Sequence, residues 1–74
     1  VDDRFTVSDK IEMLLSNFSP GQSMPLKSLF ASASTKAEVI VTFLALLELM
    51  KLNQFVVRQD QILGEIEIER RNGT

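Results

Sequence analysis

The sequence predicts a small α+β domain with three helices followed by a C-terminal β-hairpin. Hydrophobic residues recur at helical spacing in three successive segments between residues 8 and 52. Two segments of strand-like composition follow between residues 55 and 69. A chain of 74 residues is long enough for one domain, and such a domain buries about 60% of its unfolded surface. We therefore predict a single domain over residues 1–74, and we expect it to be a fragment of a longer chain because it starts with Val1.

The first helix is predicted over residues 8–18, with Ser8 as its N-cap and Asp9 in its first turn. Its apolar face follows the i, i+3, i+4, i+7 pattern and consists of Ile11, Leu14, Leu15 and Phe18. Residues 5–7 are compatible with a short N-terminal strand.

A second, short helix is predicted over residues 25–31, after a turn at residues 19–23. Pro25 suits the first turn of a helix. The helical spacing is repeated by Leu26, Leu29 and Phe30.

The third helix is predicted over residues 35–52. Thr35 and Glu38 form a capping box, in which each side chain accepts the backbone N–H of the other residue, and Asn53 is a suitable stop. At about 100° per residue, the predicted core face consists of Val39, Ile40, Phe43, Leu46, Leu47 and Met50. A second apolar stripe lies roughly opposite and consists of Val41, Ala45, Leu49 and Leu52. This second stripe either packs inside the domain or is covered by a partner, and the sequence favours neither alternative.

A hairpin wing is predicted over residues 55–69, and residues 70–74 are predicted to form a frayed tail. Three helices followed by a hairpin is the order of elements in a winged helix. The wing tip carries Ile62 and Leu63, where polar turn residues are expected. Such an apolar tip either folds back on the sheet or enters a pocket of a partner.

The composition offers no chemistry for an enzyme. The absence of Cys and His removes thiolate metal ligands, the commonest metal ligand and the commonest acid–base group at neutral pH. Glu65, Glu67 and Glu69 lie on one predicted strand face about 6.6 Å apart, which is too widely spaced for a cation cage and typical of a solvated face. We therefore predict no enzymatic activity, no cofactor and no metal site.

Membrane and nucleic-acid binding are both disfavoured by the sequence. The longest uncharged apolar run, residues 39–47, is far too short to span a membrane. In a DNA-binding winged helix, the outer face of the third helix enters the major groove and needs Arg, Lys, Asn or Gln. The predicted outer face consists of Val41, Ala45, Glu48 and Leu52. With a net charge of −2, we expect no direct contact with nucleic acid.

The run VIVTFLALLELMKL at residues 39–52 resembles the C-terminal domain of the bacterial kleisins, the segregation and condensation protein A family. Two later segments, VVRQ at residues 56–59 and LGEI at residues 63–66, are similar to the wing of that family. The resemblance is strong over residues 35–68 and weaker but collinear over residues 8–30.

The resemblance implies a protein-docking function. In that family the C-terminal winged helix binds the ATPase head of a structural-maintenance-of-chromosomes (SMC) protein, and a second non-SMC subunit binds the middle of the parent chain. It also implies a cytoplasmic, nucleoid-associated protein of the cell cycle that takes part in chromosome condensation and partition. This sequence has Leu63 where the family often has an aromatic residue, and Glu65 where it often has Asp. The predicted docking residues lie on the wing and the second helix and are Leu26, Phe30, Phe55, Val57, Ile62, Leu63 and Ile66.

Two other functions stay open at this point. A DNA-binding winged helix of a transcription regulator would need basic residues on the third helix and the wing. A homodimer formed through the stripe of Val41, Ala45 and Leu49 would have a sedimentation mass that depends on concentration.

Overall fold

The computed structural model describes residues 6–59, 61–62 and 64–72. Within these residues the elements are α1 (Val7–Asn17), β1 (Ser23–Pro25), α2 (Leu26–Ala31), α3 (Lys36–Lys51), β2 (Phe55–Arg58) and β3 (Glu67–Arg70). The strands form one antiparallel sheet in the order β1-β3-β2. The predicted fold class is confirmed, since the helices and this sheet form a small α+β domain of winged-helix type.

The first strand lies between α1 and α2 and not before α1. Thr6 is the N-cap of α1, because its hydroxyl accepts the backbone N–H of Asp9 at 3.0 Å. The prediction of Ser8 as N-cap was therefore wrong, and Val7 belongs to the helix and not to a strand. Phe5, the other end of the predicted strand, lies outside the described residues. Strand β1 was not predicted because its three residues are too few for an alternating pattern.

A tight turn brings β1 into the sheet. The N–H of Gln22 donates to the carbonyl of Ser19 at 2.9 Å, and Gly21 has a φ of 83°. A type II turn requires a positive φ at its third position, here Gly21, and commonly has proline at its second, here Pro20. The N–H of Gly21 also donates to the carbonyl of Arg70 at 2.7 Å, so the turn is attached to β3.

The predicted frayed tail is partly ordered structure. Arg70 is the last residue of β3, and its Nη1 donates to the carbonyls of Leu15 at 2.9 Å and Phe18 at 2.7 Å. The N–H of Arg71 continues the pairing by donating to the carbonyl of Gln54 at 2.9 Å. A helix leaves its last carbonyls without intrahelical partners, so the Arg70 guanidinium satisfies the end of α1 and fixes that helix to the sheet.

Helix α3 ends at Lys51, and Asn53, which the sequence indicated as the stop, lies two residues beyond it. Asn53 has a φ of 60°, the left-handed conformation that commonly ends a helix. The N–H of Gln54 donates to the carbonyl of Leu49 at 2.8 Å, and that of Asn53 donates to Met50 at 3.1 Å. This pair of hydrogen bonds is a Schellman motif, and it turns the chain directly into β2.

The core lies where α1, α2 and α3 meet one face of the sheet. Its rings of Phe18 and Phe55 make an edge-to-face contact, with centroids 5.1 Å apart and planes at 77°. The buried apolar residues are Leu14, Phe18, Leu29, Ala45, Leu46, Leu49, Phe55 and Ile68.

The predicted core face of α3 was largely wrong. The side that is buried consists of Thr42, Ala45, Leu46 and Leu49. Three residues of the predicted core face, Ile40, Phe43 and Leu47, are 38–52% exposed. Because apolar residues surround almost the whole helix, their periodicity could not select one side. The buried side instead carries the two small residues Thr42 and Ala45. The Thr42 hydroxyl can be buried because it donates to the carbonyl of Glu38, within the same helix, at 2.7 Å.

An ion pair connects the buried side of α3 to α1. Lys10 Nζ lies 2.6 Å from Glu38 Oε2, and the two side chains are only 6% and 12% exposed. Glu38 Oε1 accepts the N–H of Ser34 at 2.9 Å, while the Thr35 hydroxyl accepts the N–H of Glu38 at 3.1 Å. In the predicted capping box the Glu38 carboxylate accepts the N–H of Thr35. In the structure it accepts the N–H of Ser34 instead. The hydrogen bonds from Lys10 and Ser34 hold the pKa of the Glu38 carboxyl below its usual range, against the opposing effect of burial.

Candidate docking site

An open groove of about 400 Å³ lies between α2 and the wing. We call it the α2–wing groove, and its lining residues are Leu26, Lys27, Phe30, Gln59, Gly64, Glu65 and Ile66. The groove exists because the wing extends beyond the helices that cover the sheet. Ile66 and Ile68 lie on the same side of the chain, two residues apart, yet Ile68 is fully buried and Ile66 is 41% exposed. The N–H of Leu26 donates to the carbonyl of Ile66 at 2.8 Å and fixes α2 beside this uncovered end.

The rim of the groove carries opposite charges. Lys27 Nζ lies 3.0 Å from Glu65 Oε2, and both side chains are at least half exposed. Such surface pairs contribute about 0–1 kcal/mol to stability. The pair therefore does little to hold the fold, and it contributes no net charge to the rim.

A side-chain clamp shapes the wing tip. Gln59 Nε2 donates to the carbonyls of Ile62 at 3.1 Å and Gly64 at 3.0 Å. The N–H of Gly64 donates to the carbonyl of Gln61 at 3.0 Å. Ile62 is 93% exposed, so this residue does not fold back on the sheet. Its neighbour Leu63 lies outside the described residues.

The structure brings together most of the predicted docking residues that it describes. Leu26, Phe30 and Ile66 line the α2–wing groove. Val57 is 38% exposed and pairs with Ile68, which places it on the same face of the sheet. Ile62 protrudes from the tip.

Phe55 does not belong to the docking surface. It is only 2% exposed, and its ring packs edge-to-face on Phe18 in the core. Strand composition alone could not show that Phe55, at the start of β2, lies under the helices while Val57 lies beyond them.

A second exposed apolar surface was not predicted from the sequence. We call it the α3 strip, and it consists of Ile40, Phe43, Leu44 and Leu47, which are 52%, 44%, 45% and 38% exposed. These residues have the i, i+3, i+4, i+7 spacing of one helix face. The sequence did contain a signal for this surface. The small residues Thr42 and Ala45 mark the side of α3 that packs closely on the rest of the domain, so the larger residues opposite them are the exposed ones. The predicted homodimer stripe is excluded as a surface, because Ala45 and Leu49 are at most 1% exposed.

The described residues contain no group of three or more His, Cys, Asp or Glu side chains that could hold a metal ion. Two of the three wing glutamates have basic partners. Glu65 pairs with Lys27, and Glu69 Oε1 accepts from Arg58 Nε at 3.0 Å. In the described part of the chain, no helix has the length and hydropathy to cross a membrane.

These features define a small winged-helix-like domain whose exposed large apolar residues lie on the wing, on the outer side of α3 and at Leu52 just beyond that helix. The family model described as segregation and condensation protein ScpA matches residues 6–70. A segregation and condensation protein A of Lactococcus lactis subsp. lactis is 39% identical over 69 residues, which is 93% of this chain and 28% of the relative. The chain belongs to the segregation and condensation protein A family.

More distant relatives with the same name come from other bacteria. The Macrococcus caseolyticus protein is 32% identical over 68 residues, covering 92% of this chain and 29% of the relative. The Halothermothrix orenii protein is 30% identical over 69 residues, covering 90% and 28%. The chain thus spans a little over a quarter of the length of these relatives. No solved structure matches the chain.

Proposed function

We propose that this domain docks on the ATPase head of an SMC protein, within a complex for chromosome condensation and segregation. The relatives carry segregation and condensation in their name, and the domain presents an apolar groove beside an apolar wing tip. The single observation that carries the proposal is the exposure of this surface. Monomeric proteins rarely leave large apolar patches uncovered unless they are binding sites.

The proposed contact residues are those of the groove and of the wing tip beside it. Ile62 is the protruding anchor, and Leu26, Phe30 and Ile66 form the surface beside it. Val57 extends this surface along the sheet. Leu63, predicted for the same surface, stays a proposal from the sequence because it lies outside the described residues.

The outer side of α3 supports a protein partner over DNA. In a DNA-binding winged helix this side meets phosphates and base edges, which are recognised by basic and amide side chains. Here it presents the four apolar residues of the α3 strip. Lys36 and Lys51 lie only at the two ends of this side, and Lys51 is paired with Glu48. Contact of the apolar middle with the polar backbone of DNA would remove hydration from the phosphates without compensation.

The rest of the assignment concerns the parent protein. We infer that a second non-SMC subunit binds other parts of that protein and that the complex is cytoplasmic and nucleoid-associated. The domain acts by binding and requires neither a cofactor nor a chemical step of its own.

A substitution at the wing tip tests the docking proposal. Ile62→Glu places a charge on the exposed anchor, and we expect the affinity for the recombinant SMC head of the same organism to fall by about tenfold or more. Isothermal titration calorimetry measures the affinity, and circular dichroism checks that the variant is folded. Leu52→Glu is the matched control, because Leu52 is 61% exposed and lies beyond the end of α3, away from the tip.

The outcomes separate the alternatives. A folded Ile62→Glu variant with unchanged affinity would show that the wing tip is not the anchor. Titration of the unchanged domain with duplex DNA tests the transcription-regulator alternative, since tight binding with a steep salt dependence would favour DNA.

A further inference from the structure

The α3 strip is continuous with the α2–wing groove. Phe43 belongs to the strip, and the centroid of its ring lies 6.3 Å from that of Phe30, with the ring planes at 49°. Phe30 in turn lines the groove. One apolar surface therefore runs from the wing, across these two rings, and along the outer side of α3.

The size of the groove also favours a larger docking surface. A stable protein–protein interface buries about 800 Å² on each partner, or about 20 residues a side. The apolar side chains that line the groove are Leu26, Phe30 and Ile66, and Ile62 protrudes from the wing tip beside them. On its other side, the α3 strip borders an open cleft of about 580 Å³ between α1 and α3, to which Val7, Ile11, Leu44 and Leu47 contribute. Including the strip would bring the contact area closer to that of an ordinary interface.

The charges at the ends of the strip indicate the chemistry of the partner. Lys36 and Lys51 are the first and last residues of α3. They lie on the same side as the strip and about 22 Å apart along the helix axis. Glu48 pairs with Lys51 at 3.2 Å, so the two ends together carry one excess positive charge.

The same charges disfavour a second copy of this chain as the partner. If two strips paired in antiparallel fashion, Lys36 of each copy would face Lys51 of the other. If they paired in parallel, each lysine would face its own equivalent. Like charges placed opposite each other weaken an interface, most strongly where Lys36 faces its equivalent, because Lys51 is already paired with Glu48. A carboxylate of a partner opposite Lys36 would instead be attracted.

We propose that the docking surface for the SMC head continues across the Phe30–Phe43 contact onto the α3 strip. The facing surface of the head is apolar in its centre and carries a carboxylate opposite Lys36. This inference rests on the proposed docking function and specifies which further surface of the domain takes part in it.

Glutamate substitutions inside and outside the strip test the inference. Leu44→Glu introduces a charge at the centre of the strip, and we expect it to weaken binding of the recombinant SMC head by about tenfold or more. Leu52→Glu is again the control, because it makes the same change at an exposed leucine outside the strip. We expect its affinity to stay within about twofold of the unchanged domain, since most contacts outside the centre of an interface are energetically near neutral.

A charge reversal tests the acidic rim. Lys36→Glu is expected to weaken head binding and to reduce its sensitivity to salt, because one attractive pair would be lost. Arg71→Glu makes the same reversal beside Val56 and Arg58, on the other face of the sheet, and is expected to leave both quantities unchanged.

Three results would overturn the inference. If Ile62→Glu weakens binding while Leu44→Glu and Lys36→Glu do not, docking on the head holds and the surface ends at the groove. If the unchanged domain does not bind the head, both proposals fail. If sedimentation shows self-association that Leu44→Glu abolishes, a second copy covers the strip in place of the head.

Discussion

The two sides of α3 are both largely apolar but differ in burial. The inner side, with Thr42, Ala45, Leu46 and Leu49, is at most 3% exposed. The outer side, the α3 strip, is 38–52% exposed. The difference lies in size and in local hydrogen bonding, because Thr42 satisfies its own hydroxyl and Ala45 lets the helix approach its neighbours closely. A helix that is apolar all round is thus oriented by its smaller residues, while Leu46 and Leu49 fill the core beside them and the residues of the opposite side stay exposed.

Truncating one leucine on each side of α3 should give the largest difference in the free energy of unfolding. Leu49→Ala is expected to lower the free energy of unfolding by about 2–5 kcal/mol, because it leaves a cavity in a packed core. Leu44→Ala, in the strip, is expected to cost about 1 kcal/mol or less, because surface substitutions have small effects. Urea unfolding followed by circular dichroism measures both changes. Equal losses would contradict the assignment of the inner and outer sides.

Sequence reasoning could predict the fold class because three helical patterns and a hairpin pattern are local signals. It also identified Asn53 as the stop after α3, since few residue types adopt a positive φ. It could not orient α3, whose orientation depends on contacts with other elements. It likewise missed β1 and the role of Arg70, because strand pairing and the bonds from Arg70 to α1 connect residues far apart in the chain.

The candidate site was predictable to the extent that residues near in sequence form it. The apolar wing tip is a local anomaly, and Ile62 is indeed exposed. Phe55 and Val57 have the same strand pattern, and only the position of the helices decides that Phe55 is core and Val57 is surface. Ile40, Phe43 and Leu47 of the α3 strip were assigned to the core because hydrophobicity alone cannot distinguish burial in the fold from burial by a partner.

The inner side of α3 also depends on α1 being held in place, and Arg70 provides a way to weaken that helix without changing α3. Arg70→Leu removes the two N–H donors to the carbonyls of Leu15 and Phe18. We expect a loss of about 2 kcal/mol, typical of hydrogen bonds to a charged group. Arg71→Leu, at the neighbouring exposed position, should change stability by no more than about 0.5 kcal/mol. Thermal unfolding compares the two, and indistinguishable melting temperatures would rule out this role of Arg70.

The Glu38 carboxylate lies on the inner side of α3 and makes the stability of the domain depend on pH. The four residues of the α3 strip have no titratable group. The pKa of Glu38 is lowered in the folded domain by the hydrogen bonds from Lys10 and Ser34. The stability that it contributes is therefore fully present above the ordinary pKa of 4.5 and is lost as pH falls through the lower folded value. Unfolding measured between pH 7 and pH 3 should show a smaller acid-induced loss in Glu38→Gln than in the unchanged domain. Glu67→Gln, on the exposed wing, serves as the control. Identical pH profiles for Glu38→Gln and the unchanged domain would contradict the linkage.

The smallest effect on stability is expected on the outer side, and it is the most informative about function. Ile40→Gln changes a residue that is 52% exposed, so the free energy of unfolding should change by no more than about 0.5 kcal/mol. If the strip exists to be covered by the SMC head, the same variant should bind the head more weakly because the contact loses apolar burial. Urea unfolding and calorimetry on one preparation give both quantities, with Leu52→Gln as the control. Loss of stability with unchanged affinity would instead assign Ile40 to the packing of the domain.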